Sequence, residues 1–220
     1  KKYCRNHYKY DLTMSDYINN AYQLTSQETS LIKKEFSTHT DWNKKIFDQL
    51  KKNIVLHLRK EQDNKCCYCK HELGFDIKDV EIEHIVPKST FSKFTFCCKN
   101  LALSCPGCNT KKGTKNVLNK PIKNYPRSGN AFKIIHAHYD SYPQHIQIDN
   151  KSVYIALSSK GSETITICEL FRLNKVEDNM KKFNAEQQSI LAWLTEEIRT
   201  SKPEEQAAFI REIKRRIRNE

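Results

Sequence analysis

Two Cys-x-x-Cys pairs, Cys66/Cys69 in KCCYCK and Cys105/Cys108 in LALSCPGCNTKKG, stand 35 residues apart in this 220-residue chain. Two intervening residues let one tight turn aim two thiolates at a single ion. Two such knuckles complete a tetrahedron of sulfurs, the geometry Zn²⁺ takes in closed structural sites. Cys66, Cys69, Cys105 and Cys108 are therefore expected to hold Zn²⁺, and the long insert between the knuckles must carry structure of its own. A Cys4 site has no open position, so this ion is expected to supply folding free energy and no chemistry. Cys67 has only a C-x-C spacing to Cys69. Cys97 and Cys98, like Cys4 and Cys168, lack a knuckle partner and are expected to be buried as small apolar residues.

Charge narrows the partners. The chain carries 38 Lys and Arg against 26 Asp and Glu, a formal charge of +12, and its mean hydropathy is −0.75. Such a surplus favours a polyanion, nucleic acid before an anionic membrane. No apolar run approaches the ~20 residues that cross a bilayer. The opening KKYCRNHYKYDL lacks the apolar core of a signal peptide. Paired cysteines without such a signal read as metal ligands in a reducing cytoplasm.

The pattern along the chain predicts four regions. Residues 1–61 read as helical, with Asp41 capping a helix from Trp42 toward Lys60. Its stripe of Trp42, Ile46, Phe47, Leu50, Ile54, Val55 and Leu58 is expected to pack on the core. His39 and His57 read as surface or packing residues. Residues 62–120 form the cysteine-bearing core, with strand, turn, strand over Phe75 to Val86, a short strand over Asn100 to Cys105, and a helix starting at Asn109 to Lys112. Residues 121–171 are punctuated by Pro121, Pro126 and Gly129, then read as three short β segments with turns at Asp149-Asn150 and Lys160-Gly161. Residues 172–220 return to helix and end in the basic REIKRRIRNE.

Within the insert, VEIEHIVPKS carries Glu83 and His84. Hydrolysis of a phosphodiester needs an activated water, a Lewis acid and a base held in place. Imidazole titrates near neutral pH and suits the base; a carboxylate is a hard ligand suited to Mg²⁺. Neighbours on a strand face opposite ways, so a bend or bulge is expected where both serve one site. Asn109 directly follows the last knuckle cysteine, which would fix it against the strand of Glu83. Asn100 opens the strand leading to that knuckle, where its amide would pin the backbone around His84. Lys111 and Lys112 read equally as phosphate contacts or as ordinary surface lysines.

EIEHIVPKS and NLALSCPGCNTKKG together resemble the HNH endonucleases, the ββα-metal or His-Me finger nucleases, in their zinc-stapled form. The resemblance covers about a quarter of the chain. It implies that His84 is the general base, that Asn100 orients it, and that Glu83 and Asn109 hold a catalytic Mg²⁺ or Mn²⁺. Glu stands where the family usually has Asp before the base, and Asn where it has the last His; both keep oxygen ligands. The implied fold is α+β: a ββα-metal core with a Cys4 zinc site, N-terminal helices, a small β extension and C-terminal helices.

FKIIHAHYDSYPQHI adds His136, His138 and His145. No paired knuckle accompanies them, so packing or hydrogen bonding against the core is preferred to a second metal site. The block from Ile134, with its K-G-x-x-T-I pattern followed by Leu-Asn, more loosely resembles an extension in HNH proteins of bacterial anti-phage systems. These are the Septu-type and retron-associated effectors, which act beside an ATPase partner. The leading reading is an endonuclease acting on DNA. A zinc ribbon that binds nucleic acid without cutting it, and an RNA-cleaving HNH enzyme, are the alternatives.

Overall fold

The computed structural model describes residues 17–76, 78–149, 152–200 and 202–217. The chain divides into two compact units, Lys1–Phe171 and Arg172–Glu220. No helix among the described residues is long and apolar enough to cross a membrane.

In the first unit, α1 (Ser26–Glu35) opens with a reciprocal capping box between Thr25 and Glu28. The single helix expected from Trp42 does not form. Thr38 caps a 3₁₀ turn over His39–Asn43, and the carboxylate of Asp41 inside that turn accepts from the Ser37 and Thr38 N–H groups at 2.8 and 3.0 Å. A carboxylate that reaches back in this way cannot cap the chain that follows it. Helix α2 (Asp48–Glu61) begins six residues later than expected. The apolar stripe survives the change: Trp42, Phe47, Leu50, Ile54 and Leu58 are buried, whereas Ile46 faces solvent.

Among the described residues, only β1 (Glu81–His84) forms in the stretch expected to hold two strands. Phe75 is exposed, and Asp76 folds the chain into a turn by accepting from the N–H of Lys78 at 2.9 Å and of Asp79 at 3.0 Å. β1 pairs antiparallel with β2 (Leu101–Ser104), with Glu83 opposite Ala102 and His84 opposite Leu101. The ladder is regular through both residues and the bend falls just after them, at Ile85 and Val86. Every residue of β2 is buried. Helix α3 (Pro106–Lys112) follows directly, with Cys105 as its N-cap and Pro106 in its first turn; it starts earlier than expected and places Asn109 mid-helix. β1, β2 and α3 make the ββα core of an α+β fold.

The extension contains β3 (Ile146–Asp149) and β4 (Val153–Ala156), paired as a hairpin whose tip, residues 150 and 151, lies outside the described residues. The third expected β segment is instead α4 (Ser159–Ile167). Ser158 caps it by accepting from the Gly161 N–H at 3.1 Å, so Lys160-Gly161 is the first turn of a helix and not a β-turn. The Thr-Ile alternation reads as period two, but the buried positions are Gly161, Thr164 and Ile167, at helical spacing.

The second unit pairs α5 (Arg172–Thr200) with α6 (Pro203–Ile217), where Trp193 meets Phe209 edge-on at 6.3 Å. The last three residues of the basic tail, and residues 1–16 of the expected N-terminal helical region, lie outside the described residues.

Candidate functional site

The four cysteines of the two knuckles come together, with all four Sγ atoms within 4.8 Å of one another. Cys69 and Cys105, one from each knuckle, are 3.9 Å apart. A tetrahedron of Zn–S bonds of about 2.3 Å has edges of about 3.8 Å, so the donors fit a zinc ion in both chemistry and size. Each knuckle is fixed by its own backbone. In the first, Lys70 takes the left-handed conformation (φ 60°) and its N–H returns to the Cys66 carbonyl at 3.0 Å. The second uses the start of α3, where the Cys105 sulfur accepts from the Cys108 N–H at 3.4 Å. Cys67 is buried beside the cluster, and its N–H ties the first knuckle to the Leu103 carbonyl of β2 at 2.9 Å. Cys168 is buried, but Cys97 and Cys98, at the start of a short 3₁₀ turn over Cys98–Asn100, are only half-buried. Cys4 lies outside the described residues.

His84 sits at the end of β1, 5% exposed. Its Nε2 lies 3.0 Å from the carbonyl of Thr95, and a carbonyl can only accept. Nε2 therefore carries the proton, and Nδ1 keeps its lone pair. Nδ1 has no hydrogen-bond partner among the described residues and is not among the fully buried unpartnered atoms, so it keeps contact with solvent. Trp42 meets the imidazole edge-on at 4.7 Å. Burial, reinforced by the nearby Lys88 ammonium, holds His84 down at about 3, so it is neutral at pH 7.

Glu83 points the other way and is 2% exposed. Its Oε1 accepts from the Tyr68 hydroxyl at 2.9 Å and pairs with the Lys112 ammonium at 2.6 Å. Burial pushes its carboxyl up, and Lys112 opposes that shift. Lys112 is thus neither a surface lysine nor a phosphate contact: it is 1% exposed and also donates to the His84 carbonyl at 3.0 Å. Lys111 is exposed and pairs with Glu169 at 2.9 Å. Asn109 donates to Glu81 at 2.5 Å, whereas the hydrogen-bond partners of Glu83 are Tyr68 and Lys112. Glu81 and Glu83 are two apart on one strand and so share a face. Two carboxylates and the amide oxygen of Asn109 are the hard donors that Mg²⁺ or Mn²⁺ takes, with the Lys112 ammonium already on one of them.

Asn100 is fully buried and pins the loop after β1. Its Oδ1 accepts from the Val86 N–H at 2.7 Å, and its Nδ2 donates to the carbonyls of Val86 and Phe94 at 3.0 and 3.1 Å. Phe94 precedes Thr95, whose carbonyl holds His84. The extension braces the residues on either side of Asn100: the Tyr125 hydroxyl donates to the Lys99 carbonyl at 3.1 Å and His138 Nε2 to the Leu101 carbonyl at 2.8 Å. Tyr125 also bonds His136 Nε2 at 2.8 Å. His145 lies apart, on the Ser158 hydroxyl at 2.7 Å. Among the described residues the three histidines form no metal cluster.

Sequence reasoning missed Glu81, Lys88, Tyr68 and the burial of Lys112. The i, i+2 spacing of Glu81 and Glu83 in EIE was the available signal for the first, and the i, i+3 spacing from Asn109 to Lys112 for the last. Nothing in the sequence singled out Tyr68.

Residues 66–115 match the HNH endonuclease family. Over 123 residues the chain is 31% identical to the Septu protein PtuB of Bacillus thuringiensis, covering 56% of this chain and 43% of that protein. The chain therefore spans less than half the length of that relative. No solved structure matches it.

Proposed function

We propose that the protein is a metal-dependent HNH endonuclease that hydrolyses DNA, serving as the nuclease of an anti-phage defence system beside an ATPase partner in the cytoplasm. The observation that carries the chemistry is the tautomer of His84: bonded through Nε2 to a carbonyl, it presents an unprotonated Nδ1. In this reading Nδ1 takes a proton from the attacking water, and the oxygen attacks phosphorus in line as the P–O3′ bond breaks. Asn100 keeps the imidazole in place by holding the loop that contains the Thr95 carbonyl. Glu83 and Asn109 would hold the catalytic divalent ion, with Glu81 alongside. When bound, that ion supplies Lewis-acid stabilisation of charge on the leaving oxygen. Lys88, beside His84, is the cation best placed to meet the substrate phosphate. The Cys4 zinc keeps α3 and its Asn109 against β1.

The defence role rests on the relative named above and on the K-G-x-x-T-I extension; the DNA substrate rests on the charge of +12. The test is cleavage of supercoiled plasmid and of RNA by the zinc-loaded protein, with Mg²⁺, with Mn²⁺ and with neither, alone and with any ATPase found encoded beside it. DNA cleavage that needs added metal is the expected result. Cleavage of RNA alone would replace the substrate, and zinc-loaded protein that binds both but cuts neither would make the chain a zinc ribbon.

A further inference from the structure

A groove of about 340 Å³ opens where the two chain segments that leave the site diverge. One wall is Val86 and Pro87, directly downstream of His84, and the other is formed by residues 114–121, directly downstream of α3. The floor is stitched by backbone: the Lys133 N–H donates to the Val117 carbonyl at 2.8 Å, and the Asn119 N–H to the Ala131 carbonyl at 2.9 Å. The lining mixes an apolar face, formed by half-buried Phe91 and exposed Pro121 over the buried Val86, Pro87 and Val117, and a rim bearing Lys115, Lys120 and Lys133, with no acidic residue. Lys115 is engaged by Glu169 and the Ile167 carbonyl. Lys120 and Lys133 have no ion-pair partner among the described residues.

We propose that this groove holds one unpaired nucleotide of the strand being cut, its base on the apolar face and its flanking phosphates on Lys120 and Lys133. The assignment rests on the nuclease reading in one respect, that the scissile phosphate lies at His84. Val86 is two residues on, at most about 7 Å of chain. The volume is at the lower end of sites that enclose one small molecule, about 300–1,000 Å³, which suits one nucleotide and is too small for a duplex. An apolar face beside unpaired ammonium groups is the combination by which proteins hold single strands, stacking or packing a base while neutralising its phosphates. A duplex would touch the lysines but could not fill the groove.

The test is binding of the full chain to a fluorescent oligothymidylate and to a duplex of the same length, without added divalent metal, for wild type and Lys120→Gln/Lys133→Gln. The double variant is expected to lose about tenfold or more in single-strand affinity, with the log–log salt slope shallower by about 1.4 for two lost phosphate contacts. Duplex affinity is expected to fall less. A 2-aminopurine base walked along the strand is expected to change emission at one position in wild type and at none in the variant. Equal losses on both nucleic acids, an unchanged single-strand affinity, or displacement of the strand by micromolar thymidine monophosphate would each overturn the assignment. Because no cleavage is read, the outcome is separable from that of the nuclease reading: a protein that cuts DNA while its strand binding ignores both lysines keeps the activity and loses the groove.

Discussion

A lysine four residues past a zinc knuckle would ordinarily carry its ammonium into water, yet Lys112 is 1% exposed and bonded to Glu83 and the His84 carbonyl. Removing one partner of a buried pair strands the other charge, at about 3–5 kcal/mol. Lys112→Ala is therefore expected to lower unfolding free energy in urea by that order, and Glu83→Gln/Lys112→Met to recover much of it. A double variant no more stable than the single would show that the pair is not what holds β1 to α3. The sequence made Glu83 and His84 legible because they sit in a specific dipeptide between two knuckles. It could not show Lys112, since a charged letter reads as surface until its partner is known, or that Asn109 would meet Glu81 before Glu83.

The extension explains itself at the level of elements. Lys160 pairs with Asp140 at 2.6 Å, Gly161 packs so closely that a Cβ would run into the His145 carbonyl, and Thr164 Oγ1 accepts from the Ile135 N–H at 2.9 Å. The K-G-x-x-T spacing thus puts three docking groups on one face of α4. Tyr142 and Tyr154 then donate to the carbonyls of Tyr68 and Cys69 at 2.7 and 2.8 Å, so the extension also braces the first knuckle. Gly161→Ala is expected to displace α4 and lower the melting temperature by several degrees, with Ser162→Ala, on the same helix, as the neutral control. An equal melting temperature for both would remove the docking argument. The α4 helix was illegible because its Thr-Ile run mimics a strand, and the cap that decides the matter depends on Ser158 meeting Gly161. By contrast, β2 and the knuckles were legible because short-range spacing alone determines them.

At the scale of the whole molecule, three imidazoles among the described residues are buried neutral. Burial holds His84 down at about 3, His138 at about 4, and His136 well below its ordinary value. The unfolded chain protonates each near 6.5, so below that pH it binds more protons than the folded chain and stability rises with pH. Stability is therefore complete above about pH 7 and is lost as pH falls from about 6.5 toward 4. Each histidine contributes a slope approaching 1.4 kcal/mol per pH unit. Urea titrations from pH 7.5 to 5.5 are expected to show this fall, reduced by about one histidine's share in His138→Gln. A flat profile would mean that these imidazoles are hydrated in the folded protein.

The proposed function turns on His84 acting as the base of a nuclease whose zinc is structural. Its most direct test is single-turnover cleavage of plasmid DNA with Mg²⁺ or Mn²⁺ by wild type and His84→Ala, with bound zinc measured on the same samples. The expected result is one zinc per chain in both and a cleavage rate about 10²–10⁴-fold lower in the variant. A variant that keeps its zinc and cuts within a few-fold of wild type would contradict the account.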